Sequence, residues 1–283
     1  MACATCPAAI SFFFKAFMPE ITRSNRVSDH KSFGSLGVGS TTDKTVETKV
    51  KRAKVQKIVF NGKKIRLPTV ETALKKISKQ KLSISIKSEL PLGCGFGISG
   101  AATLSAIYAA NKLLNLKLAK QTLAEIAHFA EIKEKTGLGT VATQITGGFL
   151  IKTKSGIPPV YKRLNFTGEK IYATVIGKLP TAKILADKNK IELINKAAEA
   201  AFKEIKKTDK LTLSEIINIS YKFCRQSGIL KSDKVKNIIG QIKDSKGKAT
   251  MAILGETVLS NIKPKQVKYP VFELKVSNDK IKI

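Results

Sequence analysis

The sequence contains no tryptophan, and aromatic residues make up only 6% of its 283 residues. A chain so poor in aromatics offers no basic–aromatic platform on which unpaired bases stack, which argues against a single-strand nucleic-acid reader of that design. Acidic residues are scarce as well: 21 Asp and Glu stand against 51 Lys and Arg, a formal charge of +30. Such a charge attracts anions, nucleic acid among them. The lysines are spread along the whole chain and not gathered in one arm, so a lysine-rich solvated surface is preferred over a nucleic-acid role. No run of 18 or more apolar residues exists, so no membrane span is expected. The apolar stretch 7–14 is short and has no basic region ahead of it. It therefore reads as a buried first strand and not as a secretory signal, with a cytoplasmic location expected.

Cysteine is limited to Cys3, Cys6, Cys94 and Cys224. Cys3 and Cys6 have C-x-x-C spacing, yet no second Cys/His pair lies nearby to close a four-ligand zinc site. The pair also sits at the extreme N-terminus and not between a strand and a helix, where a thioredoxin-like motif belongs. Reduced thiols are the simpler reading. The Walker pattern GxxxxGK[ST] is missing. Gly95, Gly97 and Gly100 match GxGxxG, but the dinucleotide fingerprint needs a strand directly before it and an acidic residue about 20 positions on. Residues 88–94 separate the expected strand from Gly95, and no Asp or Glu lies between 101 and 124.

What the chain does contain is enough hydrophobic sequence, 43%, for one large domain or two modest ones around a shared cleft. Gly34, Gly37 and Gly39 read as a tight glycine-bearing loop within a Ser-, Gly- and Thr-rich stretch at 19–45. Strands are expected at 46–60, with Asn61-Gly62 as a hairpin turn into 64–67, and at 82–87, where apolar and polar residues alternate. Helices are expected at 69–79, 99–114 and 119–133. The second is small or apolar on nearly every face, hence central and buried. Gly147-Gly148 precedes a strand at 149–153, and Pro158-Pro159 marks a boundary near 155–170, dividing the chain into 1–165 and 166–283. Beyond it come a strand at 171–177, helices at 188–206, 212–224 and 232–242, and strands at 249–254 and 270–276. Hairpins with separate helices make the class α+β.

The run Pro91-Leu92-Gly93-Cys94-Gly95-Phe96-Gly97-Ile98-Ser99-Gly100 opens the buried helix. Phosphate oxygens need backbone N–H groups aimed at them, side chains would block that approach, and a helix N-terminus adds its positive end. Ser99 in the first turn supplies a hydroxyl for a phosphate or a magnesium ion. Packing alone could also account for the glycines.

Pro-x-x-x-Gly-x-Gly-x-Ser-x-Ala ahead of a small-residue helix resembles the second motif of the GHMP kinases, the family of galactokinase and of homoserine, mevalonate and phosphomevalonate kinases. Thr136-Gly137-Leu138-Gly139 with Gly147-Gly148 resembles the next glycine-bearing motif, and residues 248–255 resemble a variant of the third. Residues 6–12, 34–39, 90–102, 127–131 and 136–158 together resemble the archaeal pantoate kinase branch. The resemblance implies an N-terminal part like ribosomal protein S5 domain 2, a ferredoxin-like C-terminal part, commonly a homodimer, and ATP- and Mg2+-dependent phosphorylation of pantoate in coenzyme A synthesis. A GHMP-type kinase of another small hydroxy acid or alcohol, or a basic nucleic-acid-binding protein, remains as the alternative. Carried over residue by residue, it implies phosphate binding by Gly93, Gly95, Gly97, Ile98, Ser99, Gly100 and Ala101. It places magnesium on Ser99 and Glu131, and substrate on Ser35, His128 and Lys152. Thr140 stands where the family carries a catalytic Asp, and a threonine accepts no proton at neutral pH. Asp43 is a candidate alternative base or a turn residue. Lys15, in an apolar strand, either reaches a phosphate or snorkels to solvent.

Overall fold

The computed structural model describes residues 1–18 and 25–283, so residues 19–24 of the expected Ser/Gly/Thr-rich stretch lie outside it. Two sheets organise the chain. The first holds β1 (Ala2–Phe17), β2 (Gly34–Arg52), β3 (Lys57–Phe60), β4 (Lys63–Lys64), β5 (Leu82–Ser88), β6 (Phe149–Lys154) and β7 (Val160–Leu164). The second holds β8 (Lys170–Gly177), β9 (Ala249–Met251), β10 (Glu256–Ser260) and β11 (Val271–Lys275) in the order β11-β8-β10-β9, every pairing antiparallel. The helices are α1 (Pro68–Ile77), α2 (Ile98–Leu114), α3 (Lys120–Lys133), α4 (Thr140–Thr146), α5 (Thr181–Leu185), α6 (Lys188–Lys207), α7 (Leu213–Gln226) and α8 (Asp233–Asp244). The class is α+β, as expected. In sequence terms the second sheet runs fourth, first, third, second, the ferredoxin-like order; residues 261–270, between its third and fourth strands, form no helix.

Strand β2 is the spine of the first sheet. One edge pairs with β1 along its length; the other pairs with β6 through 37–40 and with β5 through 46–52. Strand β1 is buried on both faces and longer than the expected 7–14. Phe12 meets Phe149 at 5.2 Å between ring centroids, and Phe13 meets Phe202 at 5.1 Å, so β1 joins the first sheet to the helices α6 and α7. The predicted loop at 34–39 is the first part of β2. Its glycines serve a close strand crossing: Gly37 has φ 145°, and a side chain there would overlap the Phe13 carbonyl, where the β1–β2 register shifts. The segment 155–170 carries β7, which pairs with β6. Gly156 and its neighbours tie that hairpin back to residues 31 and 32: Ile157 N–H donates to Lys31 O at 2.9 Å and Ser155 Oγ to Ser32 O at 2.7 Å.

Helix α2 is enclosed, with Gly100 through Ala110 all buried, because its small side chains let α1, α3 and the sheet close on it. Cys3 and Cys6 lie three apart on a strand and therefore face opposite sides of it. Burial pushes the Cys6 thiol well above its ordinary pKa. Among the described residues no helix is long and apolar enough to cross a membrane.

The β9–β10 hairpin folds over the loop ahead of α2. Thr257 Oγ1 donates to Cys94 O at 2.7 Å, and a Cβ on Gly255 would overlap the backbone of Cys94 and Gly95. Gly255→Ala is therefore expected to lower stability by about 1–3 kcal/mol through overpacking of backbone on backbone. Chemical denaturation measures this, and an unchanged midpoint would show that the hairpin does not bear on the loop.

Candidate active site

An open cleft of about 780 Å³, counting its solvent-open mouth, lies where the loop before α2, the first residues of β2, the segment 136–140 and the 252–255 turn converge. Gly93, Gly95 and Gly97 take φ of 84°, 89° and 63°, conformations that L side chains rarely adopt. The loop's backbone is anchored from behind. Ala9 N–H donates to Phe96 O at 3.0 Å, and Gln144 Nε2 donates to both Pro7 O and Gly97 O at 3.0 Å each. Leu179 N–H donates to Gly93 O at 3.3 Å, and the aliphatic stem of Lys178 lies over Gly93. Gly97 caps α2 without a side-chain bond, so the first-turn N–H groups remain for an anion at the helix's positive end.

Ser99 lines the cleft from that first turn, and its Oγ lies 3.2 Å from Thr69 Oγ1. Thr69 Oγ1 lies 3.1 Å from Thr136 Oγ1, and Thr136 Oγ1 donates to Glu131 O at 3.4 Å. The Glu131 carboxylate is 2% exposed, and its Oε2 has no hydrogen-bond partner. The nearest cationic candidate is His128 Nδ1 at 3.8 Å. His128 Nε2 donates to Phe33 O at 2.9 Å, a group that only accepts, and its Nδ1 faces the carboxylate beyond hydrogen-bond length. A buried carboxylate oxygen without a hydrogen-bond partner is costly to hold, and the oxygen set of Ser99 and Glu131 suits a hard cation such as magnesium.

Lys152 sits opposite Gly37 in the β2–β6 register and is 5% exposed. Its Nζ donates to Gly139 O at 2.7 Å. Burial lowers its pKa to about 8, and the Glu131 charge opposes that shift. Ser35 lines the same wall, and a side chain on Gly139 would overlap both Ser35 Oγ and Lys152 Nζ. Gly139 is thus the gap through which the two groups converge. Thr140, the first residue of α4, presses its Cγ2 toward Gly97 and Gly100 and lines the cleft.

Of the residues expected from sequence, Ser35, Gly93, Gly95, Gly97, Ile98, Ser99, Thr140 and Lys152 line this one cleft. Gly100 and Ala101 are buried in α2 behind it. His128, expected to touch substrate, is 1% exposed, and its two nitrogens face Phe33 and Glu131; its ring packs beneath Gly34. Lys15 reaches no phosphate: it pairs with Glu199 at 2.6 Å, because α6 runs beside the end of β1. Asp43 is no base in the cleft, since it is exposed and accepts from Lys275 N–H at 2.7 Å. Gln144, Thr69 and Thr181 were not foreseen. They carry no motif, and only their partners in space reveal them.

The profile of the GHMP kinases N terminal domain matches residues 66–148. A pantoate kinase of Methanocaldococcus jannaschii is 31% identical over 230 residues, covering 80% of this chain and 82% of that protein. A pantoate kinase of Methanospirillum hungatei is 26% identical over 260 residues, covering 89% and 84%. A solved structure titled as a phosphotransferase related to the CoA biosynthesis pathway superposes with a TM-score of 0.81 over 100% of this chain and 98% of its own, at 21% identity, a likeness of fold.

The buried lysine makes a checkable signature. Its folded-state pKa of about 8 lies below the 10.5 of a free lysine, so between those values the unfolded state binds the extra proton. Stability then rises with pH from about 8 to about 10.5, by on the order of 3 kcal/mol, and the burial penalty is fully present below pH 8. Lys152→Met is expected to remove this rise relative to the parent chain in denaturation curves at pH 7 to 10.5. Parallel pH dependences would show that the lysine is not buried as a cation.

Proposed function

The chain belongs to the pantoate kinase branch of the GHMP kinases, and from that premise we propose that it transfers the γ-phosphoryl group of ATP to the primary hydroxyl of pantoate, yielding 4-phosphopantoate for coenzyme A synthesis. The observation that carries this reading is the placement of two complementary buried charges at one cleft. Glu131 has an unsatisfied oxygen and packs its carboxylate behind Gly137 of the cleft wall, and Lys152, a buried lysine bonded to a backbone carbonyl, lines the same cleft.

Each group then has a task. The N–H groups of the glycine loop and of the first turn of α2 hold the nucleotide phosphates. Ser99 and Glu131 hold magnesium, which when bound neutralises charge on the phosphate oxygens. Lys152 fixes the substrate carboxylate and Ser35 hydrogen-bonds the substrate, leaving the hydroxyl at the far end directed at the γ-phosphorus. His128 acts indirectly, holding Phe33 and Gly34 beneath Ser35. In the transfer, the substrate oxygen bonds to the γ-phosphorus, the bond to the bridging oxygen breaks, ADP leaves, and the hydroxyl proton departs to solvent. A largely dissociative transition state needs little help from a base, so Thr140 in place of an Asp is compatible with turnover.

Pantoate is expected to exceed mevalonate and homoserine by kcat/KM in an ADP-release assay. A better rate with either of those would leave only the wider kinase family standing. Lys152→Ala is expected to raise the pantoate KM by more than about tenfold and to leave the ATP KM within about twofold. Thr140→Val is expected to keep most of the turnover, whereas Glu131→Gln loses about a hundredfold or more. Abolished chemistry in Thr140→Val with nucleotide binding intact would assign that hydroxyl a direct role.

A further inference from the structure

We infer that Thr69 is the positioning residue that sets the direction of the Ser99 hydroxyl, and so makes its oxygen a metal ligand. The inference rests on the reading of Ser99 and Glu131 as the magnesium-holding pair. Each hydroxyl has one proton to donate and two lone pairs with which to accept. Three of them run in series: Ser99 Oγ, Thr69 Oγ1 at 3.2 Å, and Thr136 Oγ1 at 3.1 Å from Thr69. The series ends on the Glu131 carbonyl, 3.4 Å from Thr136 Oγ1, and a carbonyl can only accept. That end sets the polarity of the whole chain. Thr136 gives its proton to Glu131 O, Thr69 gives its proton to Thr136, and Ser99 gives its proton to Thr69. The Ser99 proton therefore points away from the cleft, and its lone pairs point into it.

Placement supports the same role. Thr69 is 1% exposed in the first turn of α1, so it touches no ligand itself and water does not compete for its bonds. Its partners stand in the first turn of α2 and just beyond α3, so one hydroxyl links three elements. The far end of the series is the backbone of Glu131, whose carboxylate has the unpartnered oxygen. The series thus ties Ser99 to the backbone of the residue that carries the other proposed metal oxygen.

The test is calorimetric binding of a non-hydrolysable ATP analogue, with magnesium and with EDTA. Wild type is expected to gain affinity with magnesium. Thr69→Val, which keeps the shape and removes the hydroxyl, is expected to lose about tenfold in magnesium and to stay within about twofold of wild type in EDTA. Thr69→Ser is expected to restore the magnesium-dependent gain. Thr136→Val breaks the series one bond further out and is expected to lose a smaller part of the same gain. Thermal melting confirms that each variant is folded. Equal affinity of Thr69→Val and wild type in magnesium would overturn the inference. So would an equal loss in magnesium and EDTA, the mark of a reversed polarity that aims the Ser99 proton at a phosphate. A wild-type chain with no magnesium-dependent gain would instead overturn the assignment of the metal pair itself.

Discussion

A loop that presents its amides to a ligand cannot be held in place by its own side chains. Residues 93–97 meet that constraint with three glycines in left-handed backbone and two buried side chains, Cys94 and Phe96, turned inward. Everything that fixes the loop comes from elsewhere. Strand β1 bonds Phe96, Gln144 bonds the Gly97 carbonyl, Thr257 bonds the Cys94 carbonyl, and Leu179 bonds Gly93. These four supports span the chain from residue 9 to residue 257, so the loop becomes rigid only when both sheets are in place. Rigidity matters because backbone dipoles stabilise charge well when they are already oriented.

The same arrangement explains how charge is kept in the interior of so basic a protein. Lys152 and Glu131 are both nearly fully buried; Lys152 bonds a backbone carbonyl, and Glu131 Oε2 has only His128 Nδ1, at 3.8 Å, for a charged neighbour. Each is costly in isolation. Lys152 is satisfied by a backbone carbonyl, and Glu131 is left with one oxygen unbonded. Histidine 128 joins the two sides by holding Phe33 while facing Glu131.

Parts of this were legible in the sequence for definite reasons. Helix α2 was recognisable because small apolar residues on every face suit only an enclosed helix, and the loop ahead of it because closely spaced glycines break both helical and strand periodicity. The glycines at 34, 37 and 39 read as a loop, since a glycine that admits a neighbouring strand and one that opens a loop look alike in one dimension. Strand β10 and helix α4 are short, so periodicity had too few residues to register them. Lys15 and Asp43 were candidates by type alone, and long-range partners, Glu199 and the Lys275 amide, decide their roles. Thr69 has no signature at all. Its meaning comes from two oxygens that are 30 and 67 residues away in the chain.

The position of Lys178 reaches beyond the bound state. Its stem lies over Gly93 at the rim of the cleft, on a surface whose charges sum to +30. Both proposed substrates are anions. Such a field gathers them from a distance and raises their rate of encounter, and added salt shortens its range to about 10 Å at 0.1 M. Capture at the cleft therefore varies with the ionic strength of the surroundings, while the chemistry inside, shielded by burial, does so far less.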